Sequence, residues 1–386
     1  MTSASPTLPR ALILGNNPTP LWGMPAAERL RRALVRAGIR EVQILGHAAL
    51  PALSGPVLLV SNRWVFDETL LKDLSKQPDT LLVDSASGRL VAALVGALEA
   101  TEVAAVIAAD GSADGLPRNL RRADAVSLSG AFNNALRKRE APYLLRLEPR
   151  TRDAVERRMF DASYKGVTDL VTKYLWPRPA QLVTSWCARL GISPNQVTFV
   201  GLLLVLASFW LFWHGHYGWG LLSGWLMTFL DTVDGKLARV TLTSSAIGNV
   251  FDHGIDLIHP PFWWWAWVIG LGAYGTPLAG ETVHWVLWVI LAGYVLQRIL
   301  EGIFMRSFGM HVHVWRPFDS FFRLITARRN PNLVILTPAW LLGRPDIGIV
   351  LVALWTGACL LVHAVQIMQG LAARRHGKLE SWLSRG

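Results

Sequence analysis

One stretch of the chain holds residues whose types and spacing can do chemistry. It reads Asp231-Thr-Val-Asp234-Gly235-Lys236-Leu-Ala238-Arg239 and, eight residues later, Gly248-Asn-Val-Phe-Asp252-His-Gly-Ile-Asp256. Asp231 and Asp234 are three apart and Asp252 and Asp256 four apart, so on two helices each pair projects from one face. Opposed helices then bring four carboxylates to one point. Their flanks, Gly220–Leu230 and Ile255–Leu271, are almost free of charge, which places the acids at the ends of membrane-spanning helices. An uncompensated carboxylate there costs about 3 kcal/mol on insertion scales, so a cation has to offset the charge. All-oxygen donor sets select Mg²⁺, Mn²⁺ or Ca²⁺, and Mg²⁺ held by carboxylates completes its shell with substrate phosphates. Gly235 and Gly248 fit this chemistry, because glycine lets a backbone or a ligand approach closely.

The spacing resembles the signature of the CDP-alcohol phosphotransferase family, D-x2-D-G-x2-A-R-x8-G-x3-D-x3-D. Asp231, Asp234, Gly235, Ala238, Arg239, Gly248, Asp252 and Asp256 all stand at the family positions. The resemblance implies a CDP-linked donor whose diphosphate bridges two divalent ions, Mg²⁺ or Mn²⁺, held by Asp231, Asp234, Asp252 and in part Asp256. It further implies an alcohol acceptor deprotonated by Asp256, CMP as leaving group, and a homodimer. Arg239 is placed to contact donor phosphate, and Gly235, Ala238 and Gly248 belong to the substrate site. Upstream, Ser193-Pro194-Asn195-Gln-Val-Thr198 opens a helix on its serine and proline alone. Its Pro-Asn-x-x-Thr element is also similar to one that lines the family's nucleotide pocket, which makes Asn195 and Thr198 substrate-binding candidates. Two other readings compete. Helix-end acids satisfied by lysines need no ligand, and a channel or transporter also uses intramembrane acids, but neither explains the interleaved glycines and arginine.

Composition sets the frame around this stretch. The 386 residues are 52% hydrophobic with a mean hydropathy of +0.32, distributed unevenly: the first 190 residues are ordinary in polarity and the rest is dominated by apolar runs. A soluble domain joined to a membrane domain follows. The formal charge of +11 accompanies no basic-aromatic module, which argues against nucleic acid; arginines beside apolar spans fit positive-inside topology and anionic lipid headgroups. Cys187 and Cys359 are too isolated to predict a disulfide or a metal knot. The start of the chain lacks the pattern of a cleaved signal, so the first domain is expected to remain cytoplasmic.

The predicted division is an α/β domain with linker over residues 1–158, interfacial juxtamembrane helices over 159–192, and a transmembrane domain over 193–386. Apolar runs at Ala11–Gly15, Glu41–Leu45, Pro56–Val60, Thr80–Val83 and Val103–Ala108 predict strands, with a helix from Ala26 to Ala37, hence a parallel sheet. Their order is similar to the nucleotidyltransferase fold that makes nucleotide-activated sugars and polyols. Departures from that family make this domain degenerate. The loop Asn16-Asn17-Pro18-Thr19-Pro20-Leu21-Trp22-Gly23 has prolines where phosphate-binding N–H groups are wanted, and Asn62 or Arg63 stands where a metal-binding aspartate belongs. Asp110 and Asp114 read as turn residues rather than ligands. From Val167 to Leu190 the apolar spacing predicts interfacial helices broken at Pro177 and Pro179.

Six membrane spans are predicted: Gln196–Trp213, Gly218–Val240, Ser245–Leu271, Val283–Phe304, a short one around Leu333–Leu342, and Ile347–Met368. The loops between odd and even spans hold one basic residue, Arg344, whereas the opposite side collects basic residues from Lys236 and Arg239 to Arg374, Arg375 and Lys378. That asymmetry predicts an inner-membrane protein with both termini, and the aspartates, on the cytoplasmic side. His311 and His313 read as interfacial anchors, since the nearby sequence gives them no acidic partner, and the tryptophans, Trp263 to Trp265 among them, as belt and lipid-facing residues. The arrangement as a whole resembles the fused inositol-phosphate cytidylyltransferase/di-inositol-phosphate-phosphate synthases. That resemblance implies CDP-inositol and inositol phosphate. A basic pocket at the interface, from Arg306, Arg323 and Arg329, would favour a phosphorylated acceptor, although surface arginines are usually topological signals. CDP-diacylglycerol with a polyol remains open beside it, as does a first domain that only docks a separate cytidylyltransferase.

Overall fold

The computed structural model describes residues 10–244 and 246–385, without the side chains of Ala246, Ile247, Asn249 and Asp252. It separates into two compact units. One comprises Met1–Asn133, Arg139–Ser163 and Val240–Leu242; the other comprises Asn134–Lys138, Tyr164–Arg239 and Thr243–Gly386.

The first unit is built on a six-stranded sheet of β1 (Arg10–Leu14), β2 (Val42–Gly46), β3 (Val57–Ser61), β5 (Thr80–Val83), β6 (Leu90–Val95) and β7 (Arg121–Ala123), in the order β2-β1-β3-β6-β5-β7. A short strand β4 (Trp64–Phe66) leaves this sheet to pair with Leu144–Arg146. Helices α1 (Ala26–Arg36), α2 (Glu68–Leu74), α3 (Ala100–Ala108), α4 (Ala125–Ser129) and α5 (Arg152–Ala162) complete the unit. β3 and β6 are buried along their whole length, the apolar pattern expected of strands covered on both faces.

Two sequence expectations fail here. The sheet is mixed, because β6 runs antiparallel to both β3 and β5. The run Val103–Ala108 is not a strand but part of α3, whose buried residues Ala100, Val103, Ala104 and Ile107 follow the helical period. Short apolar runs carry no period of their own, and alanines at 104, 105 and 108 tip this one toward helix. Within the same unit, the degenerate loop after β1 is tied down. Asn17 accepts from the Thr19 N–H at 3.0 Å and donates to the Asn62 and Leu147 carbonyls at 3.3 and 3.0 Å. The Trp22 N–H donates to Glu156 at 2.8 Å. Asp110 sits in a left-handed turn at φ 55°, its buried carboxylate taken by Arg89 and by Arg146 at 2.8 Å, while Asp114 lies in solvent.

The second unit is helical. A π-helical turn at Val171–Leu175 ends at Trp176, and α6 (Pro177–Arg189) restarts with proline in its first turn, where the missing N–H costs nothing. Then follow α7 (Pro194–Trp213), α8 (Tyr217–Val240), α9 (Ala246–Tyr274), α10 (Gly280–Phe308), α11 (Pro317–Phe322), α12 (Arg329–Leu341) and α13 (Pro345–Arg374). Among the described residues, α7, α10 and α13 are long and apolar enough to cross a membrane. Ser193 caps α7 by accepting from the Gln196 N–H while the Gln196 side chain accepts from the Ser193 N–H.

Close helix contact fixes where the acids project. A Cβ on Gly270 of α9 would fall 1.9 Å from the Phe212 carbonyl oxygen of α7, so only glycine permits this approach. Trp263, Trp264 and Trp267 are buried at this contact rather than facing lipid; the indole N–H groups of Trp263 and Trp267 donate to the Val205 and Pro345 carbonyls at 3.0 and 3.1 Å. An apolar body with one satisfied polar atom suits a helix core as well as it suits an interface, which is why composition misplaced them.

Candidate functional site

Within the second unit a cavity of about 540 Å³ opens between α7, α8, α9 and the start of α12. It brings together Asn195, Thr198, Asp231, Asp234, Gly235, Ala238, Arg239, Gly248 and Asp256. Asp252 lies on α9 one turn before Asp256, but its side chain is outside the described residues.

The helical period carries the arrangement. Asp231 and Asp234 are one turn apart on α8, and Asp256 comes from α9. The Thr198 hydroxyl donates to Asp234 Oδ2 at 2.6 Å, so the first turn of α7 orients the second acid of the cluster. Gly235 serves the same geometry, because a Cβ there would lie 3.2 Å from Arg239 Nη2 and push the guanidinium away. Asn195 is exposed at the mouth. Lys236 lies 3.3 Å from the centre of the Tyr164 ring, a cation–π contact that holds the ammonium at the cavity wall.

The most consequential contact is one that signature matching does not supply. Arg329 of α12 places Nη2 at 2.6 Å from Asp231 Oδ2 and Nη1 at 2.5 Å from Asp256 Oδ1, joining acids of two helices through one guanidinium. A cation thus stands between two carboxylates that face one space with Asp234. The bridging guanidinium marks a place for positive charge, and the all-oxygen donor set is of the kind a hard divalent ion takes. Among the described residues the cavity lining carries eight basic and four acidic side chains, a surplus suited to a polyphosphate. Of the predicted basic pocket, Arg323 and Arg329 line the cavity and Arg306 does not; Arg137, Arg298 and Arg328 join instead.

A second cluster of metal-type donors lies nearby in the same unit. Glu301 of α10, His313 and His363 of α13 hold their ligand atoms within 4.8 Å of one another. This corrects the reading of His313 as an interfacial anchor without an acidic partner. His313 is buried, which pushes its imidazole down to about 3, and its partner Glu301 comes from a helix rather than from neighbouring sequence. His363 Nδ1 lies 2.7 Å from the Cys359 carbonyl, which makes Nδ1 the protonated nitrogen. Charge decides against an ion here. Arg328 Nη2 is 2.7 Å from both Glu301 oxygens and Arg298 Nη2 is 3.2 Å from one, so two guanidiniums already overcompensate one carboxylate.

Residues 191–328 match the family described as CDP-alcohol phosphatidyltransferase. Cholinephosphotransferase 1 of Xenopus laevis is 30% identical over 40% of this chain and 39% of its own length. Choline/ethanolaminephosphotransferase 2 of Arabidopsis thaliana is 32% identical over 33% and 34%, and Ethanolaminephosphotransferase 1 of Homo sapiens is 27% identical over 39% and 42%. The chain therefore spans less than half the length of these relatives, and none of their names points to inositol. Residues 191–328, which hold the whole aspartate signature and most of the cavity, form a domain of the CDP-alcohol phosphatidyltransferase family.

Proposed function

We propose that the chain is an integral-membrane transferase that moves a substituted phosphate from a CDP-linked donor to an alcohol, releasing CMP. The observation that carries this reading is the convergence of Asp231 and Asp256, from two helices, on one cation in a cavity rich in basic side chains. Asp231, Asp234, Asp252 and Asp256 would hold Mg²⁺ or Mn²⁺. Bound there, such ions would supply charge neutralisation on the attacking and leaving oxygens of the transferred phosphorus.

The chain's own residues account for the rest. Arg239 and Lys236 line the wall beside the acids and bind donor phosphate, while Asn195, Thr198, Ala238 and Gly248 shape the nucleotide side of the cavity. Asp256, partly exposed to the cavity, accepts the acceptor's hydroxyl proton as the new O–P bond forms and the bond to CMP breaks. In the membrane, α7, α8, α9, α10, α12 and α13 are read as six crossings with both ends of the domain on the cytoplasmic side; the basic loop residues support this orientation. Residues 193–386 are the catalytic domain in this reading. The first domain is non-catalytic, supported by its fastened loop and its arginine-bound Asp110. The relatives' names make choline or ethanolamine phosphate the first transferred groups to try, ahead of the CDP-inositol and CDP-diacylglycerol alternatives.

The test offers purified full-length protein each of these four donors with a panel of alcohols and follows CMP release and product mass. Asp256→Asn is expected to lower CMP release by about 10³-fold, the scale of removing one group that acts on the transition state. Full turnover by that variant would end the assignment of Asp256 as base, and no CMP from any donor would end the transferase reading.

A further inference from the structure

Resting on the reading above, we infer that Arg329 is the resident counter-cation of the aspartate site and that divalent ions and its guanidinium occupy Asp231 and Asp256 in mutual exclusion. The contacts at 2.6 and 2.5 Å take one oxygen each from two acids that line the cavity. An oxygen-bound Mg²⁺ sits about 2.1 Å from each donor, so an ion on these two oxygens leaves no room for a guanidinium at hydrogen-bond distance from both. Either cation can bridge the pair, and both together cannot.

Arginine suits this role on physical grounds. Its planar fork spans two separate acceptors with one fixed group, which lysine's single ammonium does less well, and it keeps its charge at every accessible pH. The side chain is only 12% exposed, so the attraction is weakly screened. Its base is also secured. Neighbouring Asn330 donates to Asp169 Oδ1 at 2.9 Å, and Asp169 accepts from Thr172 N at 3.0 Å, so the start of α12 is tied to the segment before α6. The guanidinium therefore keeps the two acid-bearing helices together while no ion is bound. The consequence is that metal affinity is lower than the donor set alone would give, by the free energy of breaking the arginine bridge.

Full-length protein in detergent, titrated calorimetrically with Mn²⁺ and melted with and without it, tests the competition. Arg329→Met is expected to bind Mn²⁺ about tenfold more tightly than the wild type, to melt at a lower temperature without metal, and to show a larger metal-induced rise in Tm. Arg329→Lys, which keeps a charge, is expected to stay within a few-fold of wild-type Mn²⁺ affinity and separates loss of the bridge from loss of fold. If Asp231→Asn weakens Mn²⁺ binding while Arg329→Met leaves it unchanged or weaker, competition is overturned and the metal reading stands. If neither wild type nor Arg329→Met binds Mn²⁺, the metal reading falls and this inference with it.

Discussion

Arg328 and Arg329 are adjacent in the chain and end in opposite electrostatic settings. Arg329 is one cation shared by two carboxylates, Asp231 and Asp256, so these three groups together keep a negative charge. Arg328 joins Arg298 on the single carboxylate of Glu301, and the balance there is positive. Donor geometry alone would favour the second cluster as a metal site, since Glu301, His313 and His363 bring their ligand atoms within 4.8 Å of one another. Counting charges separates them. An under-compensated acid cluster attracts an ion, whereas an over-compensated one fixes arginines in place, and the fixed arginines then line the cavity proposed above for an anionic substrate.

The sharpest way to break this distinction is to neutralise one acid in each cluster and compare stability with activity. Glu301→Gln leaves two largely buried guanidiniums without a counter-charge and is expected to cost about 3 kcal/mol of stability, read as a lowered melting temperature in detergent. Asp256→Asn leaves Arg329 its contact with Asp231 and keeps an amide oxygen that can accept from Nη1, so its melting temperature should fall much less than that of Glu301→Gln even as CMP release collapses. Equal destabilisation by the two variants would mean that both acids are structural and that the charge count carries no functional information.

A finer test lies within the aspartate cluster. Thr198→Val removes the hydroxyl donated to Asp234 while keeping the shape of the first turn of α7. Loss of one hydrogen bond to a charged group is worth about 1.5 kcal/mol, so kcat/KM for CMP release should fall roughly tenfold with little change in melting temperature. If turnover is unchanged, Asp234 is positioned by the helix alone and the contribution of the Pro-Asn-x-x-Thr segment lies elsewhere.

The same contrast explains what could be read from sequence. Asp231, Asp234 and Asp256 were legible because a helix converts a spacing of three or four into a shared face, and a membrane boundary makes shared acids expensive. Arg329 was legible only as a basic residue. It stands 98 residues from Asp231 and 73 from Asp256, and no local period links it to either. Glu301 escaped for a related reason: it was one more polar residue on an apolar helix until His313 folded back against it. In the first unit, β1, β2, β3 and β5 followed from their apolar runs, whereas the antiparallel β6 did not, because strand direction is set by connections and not by composition. Residues 103–108 show the same limit from the other side, where an apolar run without a period became helix α3.

A third acid completes the series, since Glu28 on α1 also holds two arginines, Arg31 at 2.7 Å and Arg32 at 2.8 Å, but in solvent. The ratio of arginines to acid matches that of Glu301, which differs in its burial and in the two histidines beside it. The Arg31 and Arg32 guanidiniums pull the Glu28 carboxyl down from 4.5 to about 2. A depressed folded value means that the pair stabilises the fold above the unfolded value of 4.5 and that this contribution drains away as pH falls toward about 2. With Arg31 42% and Arg32 34% exposed, solvent screening reduces the effect to about 0.5 kcal/mol. Glu28→Gln should therefore raise hydrogen-exchange rates in α1 only about twofold near neutral pH, and the difference from wild type should vanish at the acid end. An effect as large as that of Glu301→Gln would show that two arginines on one acid matter equally in water and in the helical core, and burial would lose its place as the variable that separates the three sites.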